Sequence, residues 1–203
     1  MRRHRLLIGI YGFFLLFGGV LIASVTRTDF HLFINQFHDW FFDVFFKYAT
    51  KLAEPIAIGG FILVCSYICN LRAGFYLLLT NIINLIIVMT LKQLVFDDVD
   101  RPRQVFKGIA DLYYVPGVDV HIYNSFPSGH TAGAFATFTA LILLTSNPFI
   151  KWIWFGLAII VGLSRMYLSQ HFFIDVYFGS IIGVLVAIIT YLLYYRRKKG
   201  IVT

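Results

Sequence analysis

Apolar residues in this chain come in long blocks, and polar residues are confined to the gaps between them. Six blocks stand out, over residues 6–25, 55–69, 73–91, 131–145, 152–168 and 172–195. Each approaches the roughly 20 residues that a helix needs to cross the hydrocarbon of a bilayer, and the second extends backward through Leu52. The first block follows a basic start and is longer than the roughly 7–15 apolar residues of a secretory signal, so it reads as a retained span. Between the first two blocks lies "DFHLFINQFHDWFFDVFFKYATK", where acids and histidines recur among Phe and Trp at helical spacing. That pattern predicts an amphipathic helix lying in the membrane interface, with His31 and His38 on its surface. The expected architecture is an all-α, polytopic membrane helical bundle. It has six transmembrane helices, one interfacial amphipathic helix in the amino-terminal half, and a single domain over residues 1–203.

Composition agrees with lipid as the solvent. Only 13% of residues are charged and 59% are hydrophobic, with mean hydropathy +0.79, whereas a soluble domain carries about 25% charged residues. The net charge of +7 is not a nucleic-acid signal, because its basic runs "MRRHR" and "YYRRKK" directly flank apolar spans. With six spans both termini share one side. That side also receives Arg72 and Lys151 from short turns, giving nine basic residues with Arg2, Arg3, Arg5, Arg196, Arg197, Lys198 and Lys199. Positive charge of this kind marks the cytoplasmic face. The loop over residues 92–130 and the short turn around His171 then share the outer face. Cys65 and Cys69, four apart in one span, read as small hydrophobes.

Ionisable residues collect where spans meet that outer face. Lys92 ends the third span, Arg101 follows in "DDVDRPRQ", and His130 opens the fourth span behind "NSFPSG". Arg165 ends the fifth span, and His171 and Asp175 open the sixth. Charge inside a membrane is costly, about 2.5–3.5 kcal/mol at a span's centre, so such residues are rarely idle. Three cations and two imidazoles at one depth form an anion site with proton-transfer groups beside it, the requirement of phosphoryl transfer. The guanidiniums of Arg101 and Arg165 and the ammonium of Lys92 suit phosphate oxygens. Ser128 and Gly129 stand at a helix start, where free amides can face an anion and the Ser128 hydroxyl can cap or donate. His171 and Asp175 are four apart and share a helix face. The carboxylate orients the ring and leaves its other nitrogen to attack as nucleophile. His130 then acts as general acid and base.

In these residues the chain resembles the type 2 phosphatidic acid phosphatase family, whose fold is shared with vanadium haloperoxidases. That family's signature has three parts: K-x6-R-P, P-S-G-H, and S-R-x5-H-x3-D. The second stands here as Pro127, Ser128, Gly129 and His130, and the third as Ser164, Arg165, His171 and Asp175. The first part departs from the pattern: eight residues, not six, separate Lys92 from Arg101 and Pro102. The loop therefore carries two extra residues, and Arg103 is a possible stand-in for Arg101. Asp97, Asp98 and Asp100 should face solvent, since they would repel a phosphate. The resemblance implies hydrolysis of a membrane lipid phosphate without a metal or other cofactor. Phosphatidic acid, phosphatidylglycerophosphate, a polyprenyl diphosphate and a lipid A phosphate all fit. Two rivals remain: a lipid-phosphate transporter or flippase, and a non-catalytic lipid-binding membrane protein. A transporter would place its site near the membrane midplane, and a scaffold would not need the His171–Asp175 pair. His121, Tyr113, Tyr114 and Tyr123 read as residues that pack the outer loop, with a headgroup contact as the alternative. Asn81 and Asn84 in the third span should bond neighbouring helices.

Overall fold

The computed structural model describes residues 5–196, and every regular element among them is helical. The basic residues Arg2, Arg3, Arg197, Lys198 and Lys199 lie outside the described residues. The helices are α1 (Arg5–Ser24), α2 (Arg27–Ile34), α3 (Trp40–Ala49), α4 (Pro55–Ile68), α5 (Leu71–Thr90), α6 (Pro102–Val105), α7 (Gly129–Leu144), α8 (Pro148–Tyr167) and α9 (Phe173–Thr190). A 3-10 turn, Thr50–Ala53, extends α3, and π turns extend α5 through Val95 and α9 through Arg196.

Three helical stretches are long and apolar enough to cross a membrane unaided: Leu71–Val95, Pro148–Tyr167 and Phe173–Tyr195. Two more pass only as bent pairs. Ile8–Ser24 meets Arg27–Ile34 at 111°, and Trp40–Ala53 meets Pro55–Ile68 at 59°. α7 is apolar but only 16 residues long.

The amphipathic segment differs from the expected single interfacial helix. It is two helices, broken at residues 35–39, and its second half runs through a bend into α4. The break has local causes. Thr26 caps α2 by accepting from the Asp29 amide, and the Asp39 side chain caps α3 by accepting from the Phe41 amide, both ordinary helix starts. Pro55 opens α4 at a position that needs no N–H donor. His31 is not on the surface: it is 2% exposed, with the rings of Phe106 and Phe172 within 5.8 and 5.4 Å of its own. His38 is half-buried between Tyr113 and Tyr167.

α7 is the axis of the bundle. Ala132, Ala134, Ala136 and Ala140 are buried along it, and small residues let neighbouring backbones approach closely. The tightest approach is to α9. A Cβ on Gly183 would sit 2.3 Å from the Ala132 carbonyl oxygen, and one on Gly179 2.8 Å from the Ser128 carbonyl oxygen. Neither position can hold a side chain without parting the helices. Tyr76 of α5 donates to the Ala187 carbonyl of α9 at 2.9 Å. Thr137 of α7 donates to Asn81 Oδ1 of α5 at 2.9 Å, whereas the buried Asn84 Oδ1 has no partner.

Large apolar side chains cover the outside, including Ile56 (89% exposed), Tyr67 (93%) and Leu71 (81%). An apolar exterior around a hydrogen-bonded helical core is the construction that a bilayer requires, and the chain is an integral membrane protein. Arg72 at the start of α5 donates to the Tyr195 carbonyl, and its guanidinium lies 5.0 Å from that ring's centre. The start of α5 and the end of α9 therefore share one end of the bundle. Lys92, at the far end of α5, belongs to the opposite end.

Candidate active site

At that opposite end, five helices, α5 with its π turn, α6, α7, α8 and α9, deliver the signature residues to one place. The chain leaves α8 through a tight turn, with the Gln170 and His171 amides both donating to the Arg165 carbonyl, at 3.0 and 3.2 Å. This brings Arg165 and His171 together although they belong to different elements. Asp175 stands in the first turn of α9, where its Oδ2 accepts from the Phe172 amide at 3.0 Å, from the Ser125 hydroxyl at 2.5 Å, and from His171 Nδ1 at 3.3 Å. The carboxylate is fully buried and His171 is 2% exposed. A carboxylate accepting at Nδ1 keeps the proton on that nitrogen and leaves the Nε2 lone pair free. Burial first, then the positive charges of Arg101, Arg165 and Lys92, with a contribution from His130, hold the His171 imidazole well below the usual histidine range. It is therefore neutral at physiological pH.

Lys92 and Arg101 converge despite the longer loop between them. Lys92 Nζ donates to the Asn124 carbonyl at 2.5 Å and to the Ser125 carbonyl at 3.3 Å. Arg101 reaches the same segment through Nε to the Tyr123 carbonyl at 2.7 Å and Nη2 to the Asn124 carbonyl at 3.4 Å. The backbone of residues 122–125, which also receives the Arg101 amide at Ile122, is thus a common anchor for both cations. Burial lowers the Arg101 guanidinium below its ordinary value, with Asp175 opposing, yet arginine remains charged. Arg103 points elsewhere: it donates to the Val120 carbonyl and lies 5.8 Å from the centre of the Tyr114 ring. Asp97 and Asp98 are exposed and Asp100 is half-buried.

Arg165 is 6% exposed, with Nη1 donating to Thr50 Oγ1 at 2.7 Å and Nε buried without a partner. The cap of α7 is less open than the sequence suggested. The Ser128 amide donates to the Asp175 carbonyl at 3.0 Å, and the Ser128 hydroxyl caps the helix by accepting from the Thr131 amide at 3.4 Å, while also accepting from Thr131 Oγ1 at 2.9 Å. Ser128 is fully buried, so its amide is not available to an anion. The expectation of a free amide there fails because the close α7–α9 packing uses that N–H to join the two helices. Gly129 and His130 follow in the first turn of α7, where backbone amides have no partner within the helix. Among the described residues no cluster of three or more His, Cys, Asp or Glu side chains could hold a metal ion.

A model described as "PAP2 superfamily" matches residues 71–199. The chain belongs to this superfamily. Among curated proteins, the bacitracin transport permease protein BcrC of Bacillus licheniformis is 35% identical over 74 residues, which is 36% of each chain. The match thus spans about a third of that relative's length. Among solved structures, Aquifex aeolicus LpxE superposes with TM-score 0.70 at 28% identity, covering 80% of this chain and 92% of that one. A PAP2-type phosphatidylglycerolphosphate phosphatase from Bacillus subtilis superposes with TM-score 0.68, covering 96% of both chains. At 21% identity the latter likeness speaks for the fold alone.

The PAP2 signature residues are surrounded by groups that the motifs did not name. Ser125 donates to Asp175 from inside the second motif's approach. Thr50 holds Arg165 from the 3-10 turn before α4, far outside the region that matches the superfamily. Gln170, 2% exposed, accepts from Arg101 Nη1 at 3.1 Å and donates to the Asp119 carbonyl at 2.8 Å. Only the sequence adjacency of Gln170 to His171 and of Ser125 to the P-S-G-H motif could have signalled either. His121 stands exposed at the rim, where burial and then the charges of Arg101 and Arg165 lower its proton affinity, with Asp119 opposing. It lies close enough to feel the site, while Tyr113 is tied into the loop through its hydroxyl to Asp43 Oδ2 at 2.6 Å.

Proposed function

We propose that this protein is a membrane lipid-phosphate phosphatase acting through a phosphohistidine without a metal ion. The observation that carries the reading is the buried His171, braced by Asp175 at 3.3 Å and within electrostatic reach of Lys92, Arg101, Arg165 and His130. His171 Nε2 attacks phosphorus as the bond to the lipid oxygen breaks, and His130, protonated when the bound phosphate's negative charge offsets the cations around it, gives that oxygen its proton, releasing the lipid alcohol. His130 then takes a proton from water, whose oxygen attacks phosphorus and breaks the P–N bond. Inorganic phosphate leaves, and both imidazoles return to their starting states. Lys92, Arg101 and Arg165 neutralise the phosphoryl oxygens throughout, the main source of catalysis in such transfers. The Gly129 amide adds a neutral donor beside them.

The three unaided spans, the two bent pairs and α7 together make six crossings of one domain. Both termini face the cytoplasm and the site opens on the outer face, at the membrane edge. A lipid tail then stays in the bilayer while its phosphate enters between helix ends. A cavity of about 700 Å³, with Arg103, Lys107, Asp111 and His121 in its lining, suits a polar headgroup. A second reading, transport of a phosphorylated lipid, is favoured by the name of the BcrC relative. Against it stands the gathering of every charged site residue at one end of the bundle, where a midplane site would be needed.

The test is phosphate release by detergent-purified protein, with EDTA present, from phosphatidic acid, phosphatidylglycerophosphate, a polyprenyl diphosphate and a lipid A phosphate. Release from at least one, and acid-labile labelling of the protein, are expected. No release from any of the four, or full activity only after a divalent metal is restored, overturns the reading.

A further inference from the structure

The turn that presents His171 is made by a residue in an unfavourable conformation. Ser169 has φ +52° and is fully buried. A left-handed residue commonly ends a helix in this way, and glycine is the residue that adopts it without strain. A serine here needs something to hold it. Its hydroxyl is bonded to His31 Nε2 at 3.2 Å and receives Asn35 Nδ2 at 3.1 Å. His31 is itself buried and packed against Phe106 and Phe172. Asn35 is fixed in turn by a reciprocal pair with the Tyr113 backbone, donating to its carbonyl at 3.0 Å and accepting from its amide at 2.8 Å.

We propose that Ser169, clamped by His31 and Asn35 of the amino-terminal region, is a positioning residue that aims the His171 imidazole at phosphorus. The proposal rests on the phosphohistidine reading. From Ser169 the chain runs through Gln170 directly into His171, and each of the three residues is held by a different group. Ser169 is tied to His31 and Asn35, Gln170 to Arg101 and Asp119, and His171 to Asp175. Loss of the first tie leaves the turn held by the Gln170 contacts alone and the ring by Asp175. A misplacement of about 1 Å between reacting groups lowers turnover on the order of 100-fold while leaving binding intact.

The experiment measures kcat and KM for lipid-phosphate hydrolysis in the full-length protein. Ser169→Ala removes the hydroxyl and keeps the strained backbone, and kcat should fall about 10–100-fold with KM within about twofold. His31→Gln carries an amide nitrogen where His31 Nε2 stands, whereas the amide of His31→Asn reaches only the Nδ1 position. The glutamine variant should recover most of the kcat that the asparagine variant loses, at equal thermal midpoints. If Ser169→Ala does not fold, the His31 pair decides alone. Wild-type kcat in Ser169→Ala, or equal kcat in the glutamine and asparagine variants, overturns the clamp while leaving the His171 reading intact. A wild-type protein that releases no phosphate overturns both.

Discussion

Residues 71–196 and residues 5–70 do different work at the same site. The carboxy-terminal region supplies every group that the proposed reaction brings to a phosphate: Lys92, Arg101, Gly129, His130, Arg165 and His171, with Asp175 behind them. The amino-terminal region supplies groups that touch those groups or their turn. Thr50 holds Arg165, and His31 and Asn35 hold Ser169. Asp43 accepts from Tyr167 and Tyr113, at 2.6 Å each, tying the end of α8 to the loop between α6 and α7. The superfamily match begins at residue 71, so the proposed reacting groups lie within it together with Ser125 and Gln170, whereas Thr50, His31 and Asn35 lie before it. Phosphate has one shape and constrains its contacts, whereas a brace has only to meet its partner, and many residue types can do that.

The contrast can be broken or sharpened by substitution. His171→Ala should produce the largest effect, a loss of phosphate release on the order of 1,000-fold or more with no covalent labelling. Retained turnover there would remove the distinction at its root. Arg165→Lys keeps the charge and loses the planar fork, and should cost about 100-fold in kcat/KM. Thr50→Val, in the bracing region, should cost only about tenfold, near 1.4 kcal/mol in the barrier, because Arg165 keeps its charge and place. A Thr50→Val loss as large as that of Arg165→Lys would make Thr50 part of the reacting set. The smallest effect concerns pH. The folded protein lowers the His171 proton affinity, so below about pH 6.5 it binds fewer protons than the unfolded chain. Its contribution to stability is therefore full above that value and declines as pH falls through it. The thermal midpoint should drop between pH 7 and pH 5, and less in His171→Gln. An identical drop in both would place the buried neutral imidazole elsewhere.

The gathering of the candidate site was legible because the chemistry proposed for it forces residue types and spacings. S-R-x5-H-x3-D puts Arg165 at a helix end and His171 one turn before Asp175, and a phosphate site needs both. Even the eight-residue gap after Lys92 did not hide Arg101, since both cations reach the Asn124 carbonyl. The braces were not legible. Thr50 and Asn35 are ordinary residues in ordinary sequence, and their roles arise only when the chain folds back over more than 100 positions. His31 was misplaced on a surface because helical periodicity predicts one amphipathic helix, and says nothing of the break that turns α2 inward. The Ser128 amide was misjudged for a related reason: periodicity does not reveal that Gly179 and Gly183 bring α9 within hydrogen-bond reach of the α7 cap.

The shared anchoring of Lys92 and Arg101 has a practical corollary. Each is pinned to residues 122–125, and neither depends on the other's distance along the chain. The exposed bend at Asp97 and Asp98 can therefore be lengthened without displacing the cationic cradle. A short insertion carrying a fluorophore at that bend would report from the rim of the cradle as a lipid arrives.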